Sequence, residues 1–165
     1  PTDEFLDLIC EIKPDQVTFV PDSPEALTSS FGWNVKDNLS FLIDVVAKVQ
    51  LAGVRTSLFI DDHFTDIDFL LKTNTDCIEF YTGPYADVYG DDPEKAICNY
   101  VILADKLLDT GIQLNAGHDF NLSNTAFFLQ KIDFIAEVSI GHAVVCDALV
   151  FGWEDVINKY RAIVA

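Results

Sequence analysis

Gly111-Ile112-Gln113-Leu114-Asn115-Ala116-Gly117-His118-Asp119 is the stretch on which the fold turns. A helical run closes at Gly111, a short apolar strand follows, and Gly-His-Asp makes a turn before a new helix from about Asn121. The chain repeats the device roughly two dozen residues later, at Glu137-Val138-Ser139-Ile140-Gly141-His142. A short buried strand ending in Gly-His and handing over to a helix is a unit of parallel α/β architecture, where ligands collect beyond the carboxyl ends of the strands. Glycine lets backbone approach a ligand closely there. Histidine adds a side-chain type that titrates near neutral pH.

The same alternation extends to both ends of the chain. Residues 5–12 read as a helix, with Phe5, Leu8, Ile9 and Ile12 at helical spacing, stopped by Lys13-Pro14. Residues 16–20 read as a strand, and 23–35 as a long polar loop of the kind that is often functional. A helix over 38–52 ends at Gly53, and a strand over 54–60 meets Asp61-Asp62. A short helix over 66–72 precedes a strand over 77–81, closed by a turn at Thr82-Gly83-Pro84-Tyr85. Asp92-Pro93-Glu94 has the form of a helix start, and that helix runs to about Asp109. Downstream, 123–130 reads as helix, 138–140 as the last strand, and 142–150 and 154–164 as two closing helices.

The order is thus α-βα-βα-βα-βα-βαα, which predicts a parallel sheet with right-handed crossovers. Nothing in the composition marks a linker, so residues 1–165 are read as one domain. A closed (β/α)8 TIM barrel needs eight strands and about 250 residues. A doubly wound sheet with a phosphate site carries a glycine-rich loop after its first strand, whereas this chain has Pro21-Asp22-Ser23-Pro24 there. The expected fold class is therefore α/β, a partial TIM barrel made of its later five-eighths.

Composition narrows the function. Half of the chain is apolar, as in a globular domain. Its net charge of −17 argues against nucleic acid. The charge also fits poorly with phosphorylated ligands unless backbone N–H groups or helix N-termini bind them. No apolar run has the length of a membrane span, and no leader pattern precedes the first helix, so a cytoplasmic location is expected. An opening Pro1 and the lack of methionine hint at a fragment. Cys10, Cys77, Cys98 and Cys146 match no zinc spacing and are expected as buried, reduced thiols. The histidines make no metal-binding spacing, and His63 is read as surface.

Five blocks resemble a known family, the pyridoxine 5′-phosphate synthases that form the vitamin B6 ring. They are Val17-Thr18-Phe19-Val20-Pro21-Asp22 with Leu27-Thr28-Ser29; Arg55-Thr56-Ser57-Leu58-Phe59-Ile60; Ile78-Glu79-Phe80-Tyr81-Thr82-Gly83-Pro84-Tyr85-Ala86; Leu114-Asn115-Ala116-Gly117-His118; and Ser139-Ile140-Gly141-His142-Ala143. The resemblance covers essentially the whole chain, in the family's order and spacing. It implies strands four to eight of the family's barrel, lacking the first three βα units and, with them, a His/Arg-rich loop and a glutamate assigned as general base. It implies condensation of 1-deoxy-D-xylulose 5-phosphate with 3-amino-2-oxopropyl phosphate to give pyridoxine 5′-phosphate, phosphate and water. It also implies no metal, no redox cofactor and a homo-oligomer, commonly an octamer built from dimers.

By the same resemblance His118 is the proton donor and Glu79 stabilises charge during the reaction. A carboxylate on a strand that reads as buried needs a partner or a function in any case. Gly141 and His142 match the pair that holds the aminoketone phosphate, at a helix start where backbone N–H groups favour anions. Asp119 stands where many relatives carry glycine, and binding of the same substrate is expected there through its backbone N–H, since acid beside phosphate is unfavourable. Thr28 matches a threonine that contacts the sugar phosphate. Two other readings stand beside this one: a non-catalytic remnant that binds phosphate or assembles, and another phosphate-binding barrel enzyme. The third wants a metal cluster or a Schiff-base lysine at a strand end, and Lys13, Lys36 and Lys48 fall on helices or turns.

Overall fold

A computed structural model describes residues 1–23 and 25–165; Pro24, part of the turn read after the first strand, lies outside the described residues. The elements are α1 (Asp3–Ile12), β1 (Gln16–Phe19), α2 (Leu39–Leu51), β2 (Arg55–Ile60), α3 (Ile67–Lys72), β3 (Cys77–Tyr81), α4 (Gly83–Tyr89), α5 (Pro93–Leu107), β4 (Gln113–Gly117), α6 (Thr125–Lys131), β5 (Ile135–Ser139), α7 (His142–Phe151) and α8 (Trp153–Val164). The five strands are parallel and lie in chain order, β1-β2-β3-β4-β5. A doubly wound sheet reverses its strand order partway across; a sheet in unbroken chain order is the singly wound sector of a barrel.

The period-2 alternation of strands gives the sheet two unlike faces. Phe19, Leu58, Ile60, Ile78, Phe80, Leu114 and Ala116 belong to one buried apolar cluster with residues of the helices. Their neighbours along the strands are mostly polar, Phe59 apart: Gln16, Thr18, Arg55, Ser57, Cys77, Glu79, Asn115, Glu137 and Ser139. Arg55 Nη2 reaches Glu137 Oε1 at 2.7 Å, joining β2 to β5. Three strand spacings of about 4.8 Å separate those strands, so the sheet must curl around its polar face for the ends of two side chains to meet. Thr18 on β1 likewise reaches Glu79 on β3.

Aromatic packing holds the carboxyl end of the sheet against its helices. Tyr85, Tyr100, Phe80, Phe120 and Phe128 are fully buried. They meet edge to face, with Phe120 and Phe128 centroids 5.0 Å apart and Tyr85 and Phe128 5.1 Å apart. Such pairs add about 0.5–1.5 kcal/mol each beyond burial. The two buried phenols are satisfied: Tyr85 donates to Asn124 O at 2.6 Å and Tyr100 to Tyr81 O at 2.7 Å.

The structure corrects the sequence reading in three places. The turn expected at Thr82-Gly83-Pro84-Tyr85 opens helix α4, with Pro84 in the first turn, where its missing N–H leaves no bond unmade. β5 starts at Ile135 instead of residue 138, because the charged Glu137 that interrupts the apolar pattern faces inward onto Arg55. The register slips there, with Leu114 opposite Ile135 and Asn115 opposite Glu137. Of the four free cysteines only Cys77 is buried; Cys98 and Cys146 are exposed, since an apolar run on a helix also covers its outer face. The helix ends at Gly53 and Gly111 stand as read, at φ of +86° and +84°. No helix among the described residues is long and apolar enough to cross a membrane.

Among the described residues β1 and β5 each pair on one side only. Apolar side chains stand exposed at both ends of the sector: Leu8 and Ile12 on α1, Leu149 and Val150 on α7, and Trp153 on α8. Open strand edges beside uncovered apolar surface promote association. These 165 residues expressed alone are therefore expected to aggregate or to assemble. Light scattering coupled to gel filtration checks this, and a monodisperse monomer with a sharp thermal transition contradicts it.

Candidate active site

β3 carries Glu79 on the curled polar face, opposite Phe59 of β2 and Asn115 of β4. The side chain accepts from Thr18 Oγ1 at 3.0 Å and is 9% exposed. Burial pushes its carboxyl above the ordinary glutamate value of 4.5, partly offset by hydrogen bonds from Thr18 and Ser139 and by the nearness of His118. A carboxyl so placed holds its proton to higher pH than an exposed one.

His118 ends β4 with φ +89°, in the left-handed region. A non-glycine residue there costs on the order of 1–3 kcal/mol and persists only where its surroundings enforce it. Here the enforcement is visible. The His118 N–H donates to Ser139 O at 3.1 Å, and the ring packs edge-on to Phe59 and Tyr81, with centroids 6.3 and 5.7 Å away. The preceding Gly117 is required by crowding: a Cβ there would stand 2.5 Å from Ser139 O and 3.0 Å from Glu79 Oε1. The two ring nitrogens have separate partners, Asp119 Oδ2 at 2.8 Å from Nδ1 and Thr28 Oγ1 at 2.7 Å from Nε2.

Gly141 caps α7, and no side chain bonds the first N–H groups of that helix. A Cβ on Gly141 would meet nothing within 4 Å, so this helix start faces open space. Among the described residues these donors have no side-chain cap, and the positive end of a ten-residue helix favours an anion.

These parts share one cavity of about 950 Å3. Thr28, Glu79, His118, Asp119, Gly141 and His142, the six residues singled out from sequence, all line it. Among the described residues no lysine or arginine does. The Tyr81 phenol is held above its ordinary value first by burial and then by Asp119, Asp87, Asp61 and Asp22, an acidic rim. His63 is largely exposed in a separate cleft, in keeping with the surface reading. Asp119 departs from expectation in detail. Its N–H, the donor anticipated for phosphate, goes to Thr82 Oγ1 at 3.1 Å, and its carboxylate goes to His118.

Thr18, Thr82 and Ser139 belong to the site but were not found from sequence. Thr18 and Ser139 had a signal, since each alternates with apolar neighbours and so faces the polar side. Thr82 had none. Its hydroxyl donates to Gly117 O at 2.5 Å and accepts from Asp119 N–H, a role that exists only once β3 and β4 end side by side.

The whole chain, residues 1–165, matches the family model described as "Pyridoxal phosphate biosynthesis protein PdxJ". It is 48% identical over 162 residues to the pyridoxine 5′-phosphate synthase of Parabacteroides distasonis. It is 45% identical over 161 residues to that of Porphyromonas gingivalis and 44% identical over 161 residues to that of Bacteroides thetaiotaomicron. Each match covers 98% of this chain and 68% of the relative.

Proposed function

Because this chain belongs to the pyridoxal phosphate biosynthesis protein PdxJ family, we propose that it acts as a pyridoxine 5′-phosphate synthase in vitamin B6 biosynthesis. Its reaction is the condensation of 1-deoxy-D-xylulose 5-phosphate with 3-amino-2-oxopropyl phosphate. The observation that carries this reading is the single cavity shared by His118, Glu79 and the start of α7.

Imine formation, dehydration and loss of phosphate each need a proton delivered or withdrawn. His118 Nε2, the nitrogen bonded to the cavity-lining Thr28, is assigned that exchange. Glu79, buried beside it, answers the positive charge that develops and is relieved of its burial penalty when a cation forms. The N–H groups of Gly141 and His142 hold the aminoketone phosphate through backbone dipoles. Thr28, now hydrogen-bonded to Nε2, turns to the sugar phosphate and frees the ring. In this reading the five strands are one sector of an eight-stranded barrel, and cationic help for two phosphates comes from the rest of it. A homo-oligomer in the cytoplasm is part of the same proposal.

Inorganic phosphate titrated into 15N-labelled protein should move the amide signals of Gly141, His142 and Ala143 and leave those around His63 in place. Product formation by the intact protein from the two substrates tests turnover. The lack of a cationic lining among the described residues favours a second reading, a non-catalytic remnant that binds phosphate through backbone N–H groups or assembles without turnover. Phosphate binding without any pyridoxine 5′-phosphate from the intact protein would select it.

A further inference from the structure

We propose that Asp119 is a positioning residue that locks His118 into the tautomer with the proton on Nδ1, so that every proton exchanged with substrate passes through Nε2. The inference rests on the role proposed for His118 and adds the device that aims it. A carboxylate can only accept, so the 2.8 Å contact makes Nδ1 the donor. A neutral imidazole has one donor and one acceptor nitrogen. Nε2 is then the acceptor, and Thr28 donates its hydroxyl to it at 2.7 Å. On protonation Nδ1–H stays on Asp119 and the added proton sits on Nε2, beside the cavity-lining Thr28.

Asp119 is itself held. Thr82 is fully buried and ties the turn from both sides, donating to Gly117 O and accepting from the Asp119 N–H. The His118 N–H is fixed on Ser139 O. The Asp119 side chain is 37% exposed, with one carboxylate oxygen turned to the ring. With its N–H and one carboxylate oxygen both engaged inside the protein, Asp119 serves substrate through His118. The charged and titratable groups around the ring are Glu79 from β3, Tyr81 from the same strand, and Asp119. Of these only Asp119 bonds a ring nitrogen.

Long-range 1H–15N correlation of labelled protein at about pH 9, where imidazoles are neutral, reads the tautomer directly and needs no turnover. The wild-type ring should show a protonated Nδ1 and a lone-pair Nε2. Asp119→Ala should lose that preference and move toward the Nε2–H form that a free histidine ring favours in water. Asp119→Asn keeps an acceptor oxygen for Nδ1–H and should keep the wild-type tautomer. In the active protein kcat should fall roughly 10- to 100-fold in Asp119→Ala, less than the roughly 10²- to 10⁴-fold that a positioned acid or base itself contributes, with KM little changed and most of the loss recovered in Asp119→Asn. Retention of Nδ1–H in the alanine variant overturns the proposal. So does an asparagine variant as slow as alanine, or a change confined to KM, which makes Asp119 a substrate ligand. Failure of the wild type to form product would remove the proposed function and leave the tautomer result standing.

Discussion

Replacing His118 with alanine in the intact, active protein is expected to lower pyridoxine 5′-phosphate formation by about 10²- to 10⁴-fold, the range supplied by a positioned general acid or base. The ring lines the cavity, with the Thr28 hydroxyl on one nitrogen and the Asp119 carboxylate on the other. Its removal leaves Asp119 and Thr28 facing solvent, where lost hydrogen bonds cost little. The fold should therefore survive. Alanine retains the strained backbone at φ +89°, while His118→Gly relieves it and should be the more stable of the two by roughly 1 kcal/mol. Product assays beside thermal melts of both variants separate chemistry from folding. Wild-type turnover in either one would remove His118 from the reaction.

Glu79→Gln should abolish most turnover and at the same time stabilise the protein. The sign follows from burial. The folded carboxyl holds its proton above the ordinary 4.5, so between that value and the raised one the native state binds more protons than the unfolded chain. Stability linked to Glu79 is then fully present below 4.5 and is lost as pH rises through the raised value. Glutamine stays neutral throughout and can still accept from Thr18 Oγ1, the 3.0 Å partner of the acid. The Tm of the variant should exceed that of the wild type by a margin that grows as pH rises from 4.5 through the raised value. Activity should fall because a neutral amide cannot answer positive charge in the reacting ring. Equal Tm values across that range would show that the carboxylate is not penalised by its site, and full activity would free it of any role.

Much of this was legible in the chain. The apolar periods marked every strand, and Gly53 and Gly111 marked helix ends at positive φ. The Gly-His endings located one rim, because a strand that hands over to a helix has its carboxyl end there. Helix α4 was not legible because Gly83-Pro84 signals a turn and a helix start equally well. The first half of β5 was hidden because a lone glutamate reads as solvent-facing until Arg55, three strands away, is brought beside it.

The sequence by itself determined the alternating elements, since hydrophobic period and turn chemistry act over a few neighbours, and its motif blocks pointed to His118, Glu79, Gly141 and His142. Only the tertiary structure decided what those candidates touch. Curling the sheet sets Glu79 against Thr18 and Ser139. The side-by-side ends of β3 and β4 let Thr82 grip the Gly117–Asp119 turn. The loop after β1 brings Thr28 to His118 across 90 residues of chain. Contacts at that separation depend on how strands are placed beside one another, and no period within a single strand encodes them.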